Sequence, residues 1–260
     1  MRLEEHVEIK GKKLFVQCIQ AYSGKSFIVF LHDSLGSIQL WRDFPEKLGQ
    51  ATECNILVYD RLGYGNSDPM PTHKRPINYL ENEADILNEL LIKLNVENAI
   101  LFGHSDGGSI SLIMASKYSN RIKAIICEAA HIFVEDITLN GIYNAMEAFK
   151  TTNLRERLIK YHGGNKVDSV FKAWTETWTM EEYKNWNIEP FLPTIKCPTL
   201  VIQGEQDEYG TIKQVDGIVN QISGIAKKIL LPNIKHTPHK EAPEFILKIA
   251  SEFISNLIDG

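Results

Sequence analysis

A serine between a histidine and an aspartate, with glycine two positions away on either side, is the clearest offer of chemistry in this chain: Gly103-His104-Ser105-Asp106-Gly107. The spacing fits G-x-S-x-G, in which a strand bends sharply into a helix and exposes one side chain at the turn. A serine hydroxyl alone is a weak nucleophile, so it needs a base within reach and a third group to orient that base. The bend also needs small residues, because strand and helix pass closely at a strained position. Gly103, Gly107 and Gly108 supply them. Glycine punctuates ordinary turns as well, so the motif by itself leaves Ser105 either a nucleophile or a turn residue.

An acid and a base are available downstream. The apolar run "TLVIQ" leads into "GEQDEYG", where Asp207, Glu205 and Glu208 are candidate acids, and Glu128 after an earlier apolar run is a more remote one. Open α/β sheets place functional groups at the C-terminal ends of their strands, which is where these residues fall. The tail "LPNIKHTPHKEAPEF" offers His236 and His239 just before a final helix, and an imidazole titrates where proton transfer near neutrality is efficient. His6, His73, His104, His131 and His162 read as surface or packing residues, with His131 placed to face a pocket.

The elements that must position these groups alternate along the chain. A hairpin-like "HVEIKGKKLFVQCIQ" is followed by apolar runs at residues 27–31, 56–59, 99–102, 123–127, 199–202 and 228–231. Helix-like segments lie between most of them, as in "YLENEADILNELLIKLN", where Leu80, Ala84, Leu87, Leu90, Leu91 and Leu94 mark one face. Continuous apolar strands alternating with amphipathic helices predict a mostly parallel sheet covered on both faces. From about residue 131 to 193 the rhythm breaks into a helical, aromatic stretch with no strand-like run, which reads as an insertion over one edge of the sheet.

Composition narrows the function classes. With 260 residues and 43% apolar content, the chain can bury one large core. A net charge of −5 with dispersed Lys and Arg predicts neither a nucleic-acid nor an anionic membrane partner, and favours a small-molecule substrate that is neutral or moderately polar. No apolar leader and no run of about 18 apolar residues is visible, so a soluble, cytoplasmic protein is expected. Cys18, Cys54, Cys127 and Cys197 lack C-x-x-C spacing and read as free thiols. No nucleotide fingerprint, phosphate loop or metal-ligand cluster is present, so neither cofactor nor metal is implied.

On the elbow around Ser105, the signature D-x-x-G-x-G-x-S in "YDRLGYGNSD", the order of strands and helices, and the downstream acid and histidine, the chain resembles the α/β-hydrolase superfamily over nearly its whole length. The resemblance implies an eight-stranded, mainly parallel sheet flanked by helices, with core segments at residues 1–130 and 194–260 and a helical cap at 131–193, between strands 6 and 7. It implies a catalytic triad in the order Ser, acid, His. The G-x-x-D pattern then selects Asp207, and "KHTPH", similar to the family's G-H-x-P-H, selects His236 and leaves His239 a structural residue. The backbone N–H groups of Ser34 and Asp106 would form the oxyanion hole.

The same resemblance shows a departure. Family members usually carry His-Gly where this chain has His32-Asp33. A carboxylate aimed at the oxyanion would oppose the reaction, so the side chains of Asp33 and Asp106 are both expected to turn away and accept local hydrogen bonds. The cap aromatics, with His131, Tyr143, Trp174 and Trp178 foremost, are expected to line an acyl pocket. The resulting expectation is a serine hydrolase of a small to medium apolar or aromatic carboxylic ester. Hydrolysis of a carbon–carbon bond in a ring-cleavage product is one alternative, and a ligand receptor without catalysis is the other. Oligomeric state has no signal in the sequence.

Overall fold

The computed structural model describes residues 2–258. Eight strands form one sheet in the order β1-β2-β4-β3-β5-β6-β7-β8. They are β1 (Arg2–Ile9), β2 (Lys12–Ile19), β3 (Phe27–Leu31), β4 (Asn55–Tyr59), β5 (Ala99–His104), β6 (Ile122–Glu128), β7 (Thr199–Gly204) and β8 (Ala226–Leu231). Strand β1 pairs antiparallel with β2, and β2 with β4; the pairings from β4 through β8 are parallel. The hairpin turns at Lys10 and Gly11, both at positive φ (51° and 71°), as a tight two-residue connection requires.

Nine α-helices are described: α1 (Phe44–Thr52), α2 (Tyr79–Lys93), α3 (Asp106–Lys117), α4 (Asp136–Thr151), α5 (Leu154–His162), α6 (Val167–Thr179), α7 (Ile212–Gln221), α8 (Pro238–Glu241) and α9 (Pro243–Ile258). Side chains alternate across a strand, so each inner strand feeds two cores. In β3, Ile28 and Phe30 pack with Phe44, Leu48, Ile246 and Ala250 of α1 and α9. Val29 and Leu31 pack on the opposite face with residues of α2, α3 and the β6–β7 insertion. Burial on both faces explains why the parallel strands read as unbroken apolar runs.

Between β6 and β7 lie α4, α5, α6 and two 3₁₀ turns, Glu181–Asn185 and Glu189–Thr194. The insertion's ends meet in a single antiparallel bridge, Phe133 to Asn187. No described helix is long and apolar enough to cross a membrane. All four cysteines are free, with Cys54 and Cys127 buried and the other two partly so.

Candidate active site

Strand β5 ends at His104, and α3 begins at Asp106, so Ser105 alone makes the bend. Its φ of 55° and ψ of −119° are a strained combination for a residue with a side chain. Packing enforces it. A Cβ on Gly103 would stand 2.2 Å from the Gly107 carbonyl oxygen, and one on Gly107 would stand 2.0 Å from that of Leu31. The Ser105 N–H donates to the Glu128 carbonyl at 2.9 Å, tying the bend to the end of β6.

Asp207 lies in the loop after β7 and His236 in the loop between β8 and α8. The two meet at 2.8 Å, Nδ1 of the imidazole on Oδ1 of the carboxylate, and the Tyr209 N–H donates to the same oxygen at 2.8 Å. Burial alone would raise the Asp207 pKa, but His236 and these hydrogen bonds hold it below the ordinary carboxylate value. Burial works against a charged His236 too; Asp207 outweighs it, and the His236 pKa lies above the usual imidazole value. The base loop is braced by Glu241, whose carboxylate accepts the N–H groups of Lys235 and Thr237. His104 Nε2 adds a contact to the His236 carbonyl at 2.7 Å.

Ser105, His236, Ser34 and Asp106 line one cavity of about 440 Å³. Asp106 is the first residue of α3, whose leading N–H groups have no intrahelical acceptor. In the loop after β3, the N–H of Gly36 closes the turn on the Asp33 carbonyl. Trp174, Trp178 and His131 also line the cavity, as do Thr138, Leu154, Arg157 and Tyr209. Tyr143 does not: its side chain is exposed. Helix α4 turns Thr138, Gly141 and Ile142 inward, which carries Tyr143, about 100° further round, to the solvent side. Glu205 and Glu208 are exposed.

Glu128, the remote candidate acid, pairs instead with His239, Nδ1 to Oε2 at 2.6 Å, and both are buried. Burial pushes the Glu128 carboxyl up and the His239 imidazole down. Trp41 stacks on His239 with ring centroids 4.4 Å apart.

The two unusual acids behave differently. The Asp106 carboxylate turns away from the cavity and accepts from Arg61 at 3.3 Å and Tyr79 at 3.1 Å, while Trp178 Nε1 donates to the Tyr79 hydroxyl at 3.0 Å. The Asp33 carboxylate accepts no hydrogen bond among the described residues, contrary to expectation; the ring nitrogen Nδ1 of His104 stands 3.9 Å away, and the carboxylate packs over Gly36 and borders the cavity. The loop is held through the Asp33 backbone carbonyl, which accepts from His32 Nδ1 at 2.8 Å and Arg61 Nη2 at 2.9 Å.

Sequence reasoning passed over the residues that brace this loop. Arg61 is fully buried beside Asp106; its position directly after Asp60 of the D-x-x-G-x-G-x-S signature was the available signal. His162 of α5 accepts the Gly65 N–H on Nδ1 (3.2 Å) and so donates Nε2–H to the Leu35 carbonyl (3.0 Å). Lys166, just before α6, donates to the carbonyls of Gly65 and Ser67 at 2.5 and 2.8 Å. These two residues pin the insertion to the loops beneath it, and nothing local in the sequence marks them.

With the site's geometry in place, likeness to known proteins decides the family. The profile of the alpha/beta hydrolase fold family matches residues 27–156, half of the chain. The chain belongs to the α/β hydrolase fold family. It is 27% identical over 257 residues to the human protein "Serine hydrolase BPHL", spanning 95% of this chain and 85% of that protein. It is 25% identical over 248 residues to "Putative esterase/lipase 2" of Mycoplasma genitalium, covering 90% of each. The crystal structure of the enol-lactonase from Burkholderia xenovorans LB400 superposes with a TM-score of 0.78 at 18% identity, over 96% of this chain and all of that one.

Proposed function

We propose that this α/β hydrolase cleaves a carboxylic ester through an acyl-enzyme, with Ser105 as nucleophile, His236 as base and Asp207 as its orienting acid. One observation carries the reading: a serine strained outward at a strand-to-helix bend shares a cavity with an imidazole whose far nitrogen is hydrogen-bonded to a buried carboxylate. With Nδ1–H donated to Asp207, Nε2 is the lone-pair nitrogen free to take the Ser105 proton. Among the described residues the Ser105 hydroxyl makes no hydrogen bond, and a bound carbonyl supplies the geometry that draws it onto His236. The N–H groups of Ser34 and Asp106 stabilise the tetrahedral oxyanion. His236 then protonates the leaving alcohol, and water clears the acyl group by the same route in reverse.

The insertion, residues 131–193, acts in this reading as the cap: Trp174 and Trp178 roof the cavity and suit an apolar or aromatic acyl group. Likeness to a serine hydrolase and an esterase/lipase supports ester cleavage. The test is labelling with a fluorophosphonate, followed by turnover of p-nitrophenyl esters of increasing acyl length. Modification is expected at Ser105 and absent in Ser105→Ala. Labelling that survives that substitution, or a protein that binds esters without turning them over, removes the assignment.

A further inference from the structure

A second hollow of about 270 Å³ adjoins the catalytic cavity and shares Leu154 and Arg157 with it. Its floor is apolar, with Leu154 and Leu158 of α5, while Arg42, Arg157, Lys160 and Lys240 are its charged residues; no acid lines it. Among the described residues, none of those four charged groups makes an ion pair or hydrogen bond. In a chain of net charge −5, four cations around one apolar hollow, of which Arg42, Arg157 and Lys160 have no partner among the described residues, are a local reversal of sign. At the catalytic cavity stands Asp33, whose carboxylate has no hydrogen-bond donor among the described residues and would repel an anion held beside the scissile carbonyl. Lys240 borders both regions, lining the hollow and, with Asp33 and His104, the small cleft beside it.

We infer that the hollow is an anion subsite: the substrate is an ester in which an apolar chain, seated over Leu154 and Leu158, carries a terminal anion to Arg157, Lys160, Arg42 and Lys240, remote from the carbonyl that Ser105 attacks. The inference rests on the ester-hydrolase reading and narrows it to one substrate class. A carboxylate and a phosphate monoester share the required chemistry: negative oxygens that accept from guanidinium and ammonium donors. The charge arrangement also orients the substrate, since an anion is repelled near Asp33 and attracted at the hollow.

The test separates binding from turnover. In Ser105→Ala, calorimetric titration with monomethyl suberate, dimethyl suberate and ω-phosphorylated methyl hexanoate reads the subsite without chemistry. Each anionic ester is expected to bind at least about tenfold tighter than the neutral diester, the scale of a hydrogen bond to a charged group. That preference should shrink from about 20 mM to about 300 mM salt. It should also disappear in the exposed double variant Arg157→Gln/Lys160→Gln. Whichever anion binds tighter names the source. Equal binding of neutral and anionic esters, or a preference that survives the double variant, overturns the subsite. Turnover of p-nitrophenyl butyrate by the unaltered enzyme reports separately on the ester-hydrolase reading, so the two can fail independently.

Discussion

Two histidine–carboxylate pairs lie side by side beneath the cavity, with His104 between them: its ring is 5.1 Å from that of His236 and 5.0 Å from that of His239. Both pairs bond through Nδ1, at 2.8 Å for His236–Asp207 and 2.6 Å for His239–Glu128. Their settings differ. The imidazole of His236 opens onto the cavity and its pKa is raised; His239 is sealed under Trp41 and its pKa is lowered. A hydrogen-bonded acid does not by itself make a base. Burial penalises the charged imidazole in both cases, and only in the first do Asp207, Asp33 and Glu208 together overcome it. The second pair is suited to holding the base loop against the end of β6, next to the point where the Glu128 carbonyl receives the Ser105 N–H.

The sharpest way to break that contrast is to remove each ring. His236→Ala is expected to lower kcat by about 10³ or more in the folded protein, and, because it leaves the buried Asp207 with the Tyr209 N–H as its remaining donor, to lower the melting temperature as well. His239→Ala should leave Glu128 buried without its partner and cost about 3–5 kcal/mol of stability, while the folded fraction keeps most of its activity. Ester turnover and thermal melts of the two variants check this, and an exchange of the two outcomes would reverse the roles.

Substituting the acids is a milder version of the same test. Asp207→Asn removes the foremost group raising the His236 pKa, so the acid limb of kcat/KM should move to lower pH while kcat falls by about 10²–10⁴. Glu128→Gln keeps a hydrogen-bond acceptor for His239, and Asp207, Asp33 and Glu208 act on the His236 pKa ahead of Glu128, whose coupling to His236 is minor. The variant's acid limb should shift far less than that of Asp207→Asn. A shift in the Glu128→Gln profile as large as that of Asp207→Asn would show that the sealed pair governs the base.

Stability against pH sharpens the comparison from the side of the sealed residues. His32, His104, His131, His162 and His239 are all held below the ordinary imidazole value by burial. In the unfolded chain such groups titrate near about 6.5, so below that pH the unfolded state binds more protons and stability falls as pH falls. His236 and Glu128, with raised pKa values, act in the opposite sense, stabilising at low pH and losing that contribution as pH rises. The five depressed imidazoles outweigh these two, and the melting temperature should drop by roughly 5 °C or more between pH 7 and pH 5. A flat profile over that interval would contradict the burial of neutral rings.

These pairs also show what a sequence can and cannot reveal. The elbow was legible because its glycines answer a steric demand within five residues, and the strands because double-sided burial leaves unbroken apolar runs. Glu128 and His239 were both visible as candidates, but their pairing depends on β5 and β6 lying in parallel register, with His104 opposite Glu128. The Arg61–Asp106 contact spans 45 positions and Trp178–Tyr79 spans 99, so no local periodicity encodes either. His162 and Lys166 gain a role only once the insertion docks. Tyr143 failed as a pocket residue because aromatic content says nothing about the phase of a helix.

Asp33 offers the smallest effect and the finest discrimination. Were its carboxylate a brace for the oxyanion loop, Asp33→Asn would loosen the loop and lower both kcat and stability. The carboxylate accepts no hydrogen bond among the described residues, however, and the loop hangs on the Asp33 backbone carbonyl, which the substitution leaves intact. What changes is charge. Asp33 stands in the field of His236 and helps to raise its pKa, after Asp207. Removing that charge should let burial pull the His236 pKa down, so the acid limb of kcat/KM shifts to lower pH by a fraction of the Asp207→Asn shift. The base must be neutral to take the serine proton, so at pH 6 the variant should turn over a neutral ester faster than the unaltered enzyme, and at pH 8 the two should agree within about twofold. Melting temperatures should match. A loss of stability, or a fall in kcat at every pH, would mean that the carboxylate holds the loop after all.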